Sequence, residues 1–487
     1  MPSAKQNALF NASYQVLRLV FPIITYPYVS RILGPTGLGR VAYAHKIAEY
    51  FCLTALLGIP MYGLREISRV RDDQEQLSNV FSELFWLSTL LSLAALAIYS
   101  LLFLLVPDAT AEASLHWLFA LMIVVNSGRL DWLYQGLEQY RYITVRSFLT
   151  RVVTASLIFV VVRSANHYAN YAALWVAGSV ITGAWNFSYS TRLVRLKIRG
   201  IKPFRHLKAI VPSAMIILIN VLYGVLDVSM LGIMIDDDRY SVGLYTMAGR
   251  IMRIALSIVV AGTAVLMPRI SRYHASGDHN RAEALIRKSL SYTLFFALPI
   301  TIGLMIVADD FVLVFAGPQF LEAITTTRIL TPQLLIFAIG NVVNMQIFYA
   351  RGKERSVLLI AALTTALAFT SNLFLIPLYQ QNGAAFATLA VTALGLFLQS
   401  AFDLPLIWRV IATRDNRRMV VLVVLWTALV VILKGQLVDA THVLRLVGTV
   451  FAGAVSFIAG SVAMRIAPVQ ELLNWVSSKM KRKRASE

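Results

Sequence analysis

The sequence has one cysteine, Cys52, so it can form no internal disulfide. Charge is scarce: 14% of the 487 residues are charged, where a soluble domain carries about a quarter. Acids are scarcer than bases, 25 against 44, for a net charge of +19. There is no Walker loop, no HExxH and no cluster of cysteine and histidine; His274 and His279 stand in a basic stretch. Those absences argue against a nucleotide site, a metal site and a catalytic residue, and no cofactor is expected. Gly34, Pro35, Gly37 and Gly39 form a glycine-rich run, but no strand precedes them, so they read as a tight turn between helices.

Hydrophobic residues make up 58% of the chain, in runs that recur along its whole length, among them 84–106, 290–307, 357–375 and 443–464. A bilayer core about 30 Å thick takes about 20 helical residues to cross. The first apolar stretch is broken by Arg18 and runs through Pro22 and Pro27 without a small-residue cleavage site, so it reads as a membrane helix rather than a cleavable signal.

The expected architecture is all-α and polytopic, with about fourteen transmembrane helices near 7–32, 41–63, 78–106, 114–136, 143–162, 169–190, 208–235, 241–266, 289–308, 324–349, 356–377, 383–410, 418–434 and 442–465. Loops after even-numbered helices are basic, as in Arg65/Arg69/Arg71 and Arg351/Lys353/Arg355, and so is the C-terminal tail. Loops after odd-numbered helices carry at most about one lysine or arginine each, such as Arg40, Arg163, Arg239 and Lys434. Basic loops stay in the cytoplasm, which predicts an inner-membrane protein with both termini cytoplasmic. The bilayer accounts for the positive charge, and no nucleic acid is needed.

Short matches recur in order about 200 to 216 residues apart. Ile67-Ser68-Arg69 returns as Ile270-Ser271-Arg272, and Gly136-x-Glu138 as Gly352-x-Glu354. Asn170-x-Ala172-Ala173 returns as Asn382-x-Ala384-Ala385, and Gly37-Leu38 as Gly243-Leu244. Together they favour a duplication of six helices, with a central cavity between parallel repeats. The expected lobes are 1–200 and 201–412, followed by two additional helices and a basic tail over 413–487.

The run Thr25-Tyr26-Pro27-Tyr28-Val29-Ser30-Arg31-Ile32-Leu33-Gly34-Pro35, with Arg65-Glu66-Ile67-Ser68-Arg69, resembles the N-terminal signature of Wzx-type polysaccharide flippases. So does Asp131-Trp132-Leu133-Tyr134-Gln135-Gly136-Leu137-Glu138, followed by Tyr142-Ile143 and Arg146, and in the second half Leu226-Asp227-Val228-Ser229 and Met267-Pro268-Arg269. The resemblance implies the fold of the multidrug/oligosaccharidyl-lipid/polysaccharide exporter superfamily. It also implies export of undecaprenyl-diphosphate-linked repeat units of O-antigen, capsule or exopolysaccharide from the cytoplasmic to the periplasmic leaflet. Expected partners are that lipid-linked glycan, the bilayer, and the polysaccharide polymerase and chain-length regulator.

A diphosphate crossing hydrocarbon needs cations in a wet cavity, because an unpaired charge there costs several kcal/mol or more. Arg18, Lys46, Arg250 and Arg253 are cations inside spans and are the expected substrate-binding residues; Arg250 and Arg253, three apart, share a face. Each could instead pair within the bundle or snorkel. Asp227 and Asp403 could take up a proton for coupling or neutralise an arginine. Arg129 and Asp131, two apart in the fourth helix, would face different ways, with gating as open a role as substrate contact. Two rivals remain: a MATE-like cation-coupled drug antiporter, which would favour acids in its cavity, and a glycan polymerase, which would carry a large periplasmic loop.

Overall fold

The structure is a computed structural model that describes the chain apart from residues 1–3, 57, 106–111, 261–269, 274–275, 403 and 472–487. All regular elements among the described residues are helical. In order they are α1 (Ala4–Leu56), α2 (Ile59–Val70), α3 (Gln74–Leu105), α4 (Ala113–Val124), α5 (Asp131–Gly136), α6 (Tyr140–Val161), α7 (Tyr168–Ser190), α8 (Leu207–Met234) and α9 (Tyr240–Val260). They continue as α10 (His279–Ala316), α11 (Ala323–Val342), α12 (Glu354–Ala401), α13 (Leu404–Ile411), α14 (Arg414–Gln436) and α15 (His442–Ala463). Among the described residues ten helical segments are long and apolar enough to cross a membrane. The all-α, multi-pass architecture is the one the hydropathy predicts.

Several boundaries differ from the sequence reading, each for a local reason. The turn predicted around Gly34 to Gly39 is a single kinked residue, Gly34 (φ 66°, ψ −177°), inside α1. The predicted helix 41–63 breaks at left-handed Gly58, with Pro60 opening α2. The predicted helix 114–136 passes through a 3₁₀ turn, Val125–Gly128, and stops at Arg129 (φ −77°, ψ 69°) before α5. The predicted helix 383–410 ends at Ala401, because Pro405 cannot continue the ladder and the chain restarts as short α13. The predicted helix 289–308 is extended at both ends into 38-residue α10.

The chain forms two compact units, Met1–Thr246 and Met247–Glu487. In the first, α2 and α5 pack together and α2 also lies on α3, around Ile59, Ile67, Phe81, Leu84 and Trp132, all buried. The link between α7 and α8 runs extended along α3. Gln74 donates to Leu193 O (2.7 Å), Ser78 Oγ accepts from Arg195 N (3.1 Å) and Ser82 Oγ from Lys197 N (2.8 Å), while Trp86 donates to Lys197 O (3.1 Å). Four helical residues rise about 6 Å and two extended residues about 6.6 Å, so a polar stripe every fourth residue meets every second residue of the strap. Buried Glu83 closes the strap, accepting from Lys202 N (3.0 Å), Arg205 (2.6 Å) and His206 (2.9 Å), whose other ring nitrogen meets Tyr62 (2.9 Å). Glu83→Ala is expected to free the strap, so that trypsin cuts the purified protein at Arg195, Lys197 or Arg199 at least about tenfold faster, as loss of a buried charge-assisted network implies.

In the second unit α14 and α15 pack on each other and on α10. Trp426 and Phe457 sit in the apolar core, and Trp426 donates to Gly453 O (2.7 Å). At one end fully buried Asp310 meets Lys434 (3.6 Å), His442 (2.8 Å) and Arg445 (2.5 Å), and Asp309 meets Lys434 (2.5 Å). At the other, Ser291 donates to Asn416 (2.8 Å). These contacts fasten α14 to α10 at both ends and α15 to α10 at its start.

Two helix ends close alike, at the third residue of the first match, Glu138, and at the first residue of its echo, Gly352. Glu138 (φ 57°) and Gly352 (φ 68°) are both left-handed. The next residue then donates six-to-one, Gln139 N to Tyr134 O (2.7 Å) and Lys353 N to Phe348 O (3.0 Å), the closure of a Schellman-type helix end.

Candidate functional site

Charged side chains that are half open at mid-span must face water or a polar ligand, because acyl chains solvate neither. In the first unit Lys46 and Glu49 pair at 2.7 Å with 24% and 31% of their side chains exposed. Lys46 lies twelve residues past the Gly34 kink, about 18 Å along the helix. Asp227, half-buried on α8, accepts from Tyr245 on α9 at 2.5 Å. The unit thus holds two polar pairs, Lys46–Glu49 on α1 and Asp227–Tyr245 between α8 and α9.

Arg129 and Asp131 do not share a helix, which corrects the sequence reading. Arg129 stands exposed in the break, while Asp131 opens α5 and pairs with Arg146 (2.8 Å). Arg146 is 3% exposed; it also donates to Asn186, and its guanidinium lies over the Tyr142 ring (5.6 Å). Tyr134 donates to Asn186 O, and Asn186 Nδ2 donates to Gly128 O (3.0 Å). The stretch from Asp131 to Arg146 is therefore a bracket that holds α5, α6 and α7 together around the break.

In the second unit α9 carries half-buried Gly249, Arg250 and Ser257 and exposed Arg253 on one strip, with Ile251, Met252, Ala255 and Val259 buried on the other side. The Arg253 guanidinium folds back toward Gly249, 3.5 Å from where a Cβ would stand. Arg18 lies within α1, but its side chain is outside the described residues, as is Asp403 altogether.

A third feature joins the start of the second half of α1 to the start of α9. A Cβ on Gly39 would stand 1.9 Å from Arg239 O, and one on Gly243 1.9 Å from Pro35 O. The two backbones touch where the repeated Gly-Leu pairs meet. Arg40 brackets the crossing, pairing with Asp238 (2.5 Å) and Glu112 (3.0 Å), and Arg239 lies over Tyr43 (4.3 Å).

The model of a family described as "Polysaccharide biosynthesis protein" matches residues 4–274, more than half of the chain. The chain belongs to that family. It is 25% identical over 422 residues to a protein of Escherichia coli K12 named "Putative O-antigen transporter", covering 82% of this chain and 96% of that one. Its fold is similar to that of the lipid II flippase MurJ in an inward closed conformation (TM-score 0.73, 14% identity, 94% of this chain and 99% of that one). It is also similar to an inward-facing MATE family multidrug transporter (TM-score 0.61, 18% identity, 81% and 95%). Both structural likenesses are of fold.

For this polysaccharide biosynthesis protein the structure adds residues that the sequence reading passes over. Arg146 and Arg151 both fall inside the predicted span 143–162, and the rule that singles out Arg18 applies to them equally; Arg151 is half-buried. Glu49, three residues after Lys46, is visible as a partner in the sequence. Tyr245 carries no such signal, because its partner Asp227 is eighteen residues away on another helix.

Proposed function

We propose that this chain is a flippase that moves undecaprenyl-diphosphate-linked oligosaccharide repeat units from the cytoplasmic to the periplasmic leaflet of the bacterial inner membrane by alternating access. The observation that carries the reading is the set of partly exposed charges inside spans, Lys46, Glu49 and Asp227 in the first unit and the Arg250/Arg253 strip in the second. Family membership and the transporter named in E. coli support it. Cations take the diphosphate, hydroxyl-binding groups take the sugars, and the polyprenyl tail stays in lipid. The basic loops favour an orientation with both termini in the cytoplasm and the Gly39–Gly243 crossing toward the periplasm. In that orientation the crossing ties α1 to α9 near the periplasmic surface, and its parting would accompany release. A polymerase acting on the exported repeat would draw the cycle forward.

Cells depleted of the protein are expected to accumulate lipid-linked single repeats in the cytoplasmic leaflet, out of reach of periplasmic labelling. Accumulation of exported single repeats would point to a polymerase instead, and unchanged glycan with altered drug tolerance to an antiporter. Within the strip, Arg250→Ala and Arg253→Ala are each expected to lower affinity for the diphosphate by about tenfold or more, the effect of a lost hydrogen bond to a charged group. Affinity for undecaprenyl diphosphate in nanodiscs measures it.

A further inference from the structure

The strap between α7 and α8 carries more positive charge than its own fastening uses. From Arg192 to Lys208 it holds seven lysines and arginines and no acid. Two of the seven are met within the first unit, Lys197 by Glu75 (3.5 Å) and Arg205 by Glu83 (2.6 Å). Arg192, Arg195, Arg199, Lys202 and Lys208 are exposed and make no ion pair among the described residues. The strap also exposes two large apolar side chains, Ile198 (73%) and Phe204 (61%). We propose that its far end is a docking site for anionic phospholipid, with Arg199, Lys202 and Lys208 on headgroup phosphates and Ile198 and Phe204 in the hydrocarbon boundary. The site stands whatever substrate the protein carries.

Depth separates this end of the strap from an ordinary basic loop. The hydrogen bonds from Gln74, Ser78, Ser82 and Trp86 carry the strap along twelve residues of α3, about 18 Å, from the helix start toward its apolar run. Among the described residues Leu90, one turn past Trp86, is the first large apolar side chain that α3 exposes, and Val211 is the first that α8 exposes. Half-buried Trp86 stands where indole rings collect, at the membrane–water interface. Ile198, Arg199 and Lys202 therefore lie at the level where the helices enter hydrocarbon, and Arg195 and Arg192 lie roughly 12 to 18 Å further out. At that level acyl chains cover apolar surface that water would otherwise meet. Arginine takes a phosphate through two parallel N–H···O bonds, and lysine reaches one on a flexible stem. The backbone needs no rearrangement, because Glu83 already holds Lys202 N at 3.0 Å and leaves the exposed ammonium outside that bond. A strap held by α3 on one side and by headgroups on the other fixes where α8 enters the bilayer.

The test uses the full chain in detergent and two soluble short-chain probes, phosphatidylglycerol and phosphatidylcholine. Cys52 is the only cysteine and is buried, so an environment-sensitive fluorophore on Ala209→Cys, next to Lys208, reads occupancy at the site itself. Without further change this protein is expected to bind phosphatidylglycerol at least about tenfold more tightly than phosphatidylcholine. Arg199→Gln and Lys202→Gln are each expected to cut that preference by about fivefold, the effect of one cation at a headgroup layer. Arg192→Gln is expected to leave it in place, since its distance exceeds the screening length of about 8 Å at physiological salt. Phe204→Ser should weaken both probes together. The four side chains are exposed, and the bonds at Leu193, Arg195, Lys197 and Lys202 all use strap backbone, so the variants keep the strap. Equal affinity for the two probes overturns the proposal. So does an Arg192→Gln loss as large as that of Lys202→Gln, which would reduce the effect to net charge. Displacement of phosphatidylglycerol by a far lower concentration of undecaprenyl diphosphate overturns it too, by making the strap a station for a lipid diphosphate.

Discussion

Gly39→Ala is expected to stop export while the protein still reaches the membrane. The added methyl would stand 1.9 Å from Arg239 O and 2.9 Å from Gly243 N, both backbone atoms that no rotamer change can move. The helix starts must separate, and Arg40 loses its grip on Asp238 and Glu112 as they do. Overpacking of this kind costs about 1–3 kcal/mol, a shift of roughly fivefold to a hundredfold between a closed and a parted crossing. Gly243→Ala meets Pro35 O at the same 1.9 Å and should give the same defect, and combining the two should add little, since either one alone opens the contact. Gly435→Ala has nothing within 4 Å of the new methyl and is the neutral control. Export of the repeat, normalised to protein in the membrane, is the readout.

The second large effect concerns the Asp131–Arg146 pair, and its direction is set by which partner water can reach. Arg146 is 3% exposed and Asp131 is 36% exposed. Asp131→Ala strands a buried guanidinium, which costs about 3–5 kcal/mol when such a pair is broken. Arg146→Met removes the buried charge and leaves a carboxylate that solvent can hydrate, so it should destabilise less. The double variant should melt close to Arg146→Met rather than at the sum of the two losses, because the stranded charge is absent from it. Melting of the purified protein in detergent measures all three. An Asp131→Ala variant as stable as wild type would show that Arg146 is held well enough by its other contacts, Asn186, Ser147 and Tyr142.

The sequence makes the membrane architecture legible because hydropathy is a local signal: α7 and α8 begin and end within a residue or two of the runs that predict them. It makes the motif from Asp131 to Arg146 legible as a unit without showing what the unit does. Its closing contact, Asn186, lies forty residues beyond Arg146 on another helix. The breaks at Gly58 and Arg129 are hidden for different reasons. Gly58 and Pro60 are punctuation that an apolar run masks, whereas Arg129 stops a helix through tertiary contacts, with Asn126 turned aside to cap Cys52 O at 2.6 Å. The Gly39–Gly243 crossing joins residues 204 positions apart, and only the repeated Gly-Leu pairs hint at it. Asp238 and Arg239 take left-handed backbone at φ 55° and 67°, where no composition rule places an arginine. In-span cations were legible as a class, but the partner that turns Lys46 into half of a neutral pair changes what that cation can bind.

The central claim is tested most directly by transport with purified components. The protein is reconstituted into liposomes whose outer leaflet alone holds the extracted lipid-linked oligosaccharide, and appearance of that lipid in the other leaflet is followed with a membrane-impermeant glycan-modifying reagent. Wild-type protein should equilibrate the lipid between leaflets, and Gly39→Ala protein reconstituted to the same density should not. Equal rates for wild-type, Gly39→Ala and protein-free liposomes would contradict the account.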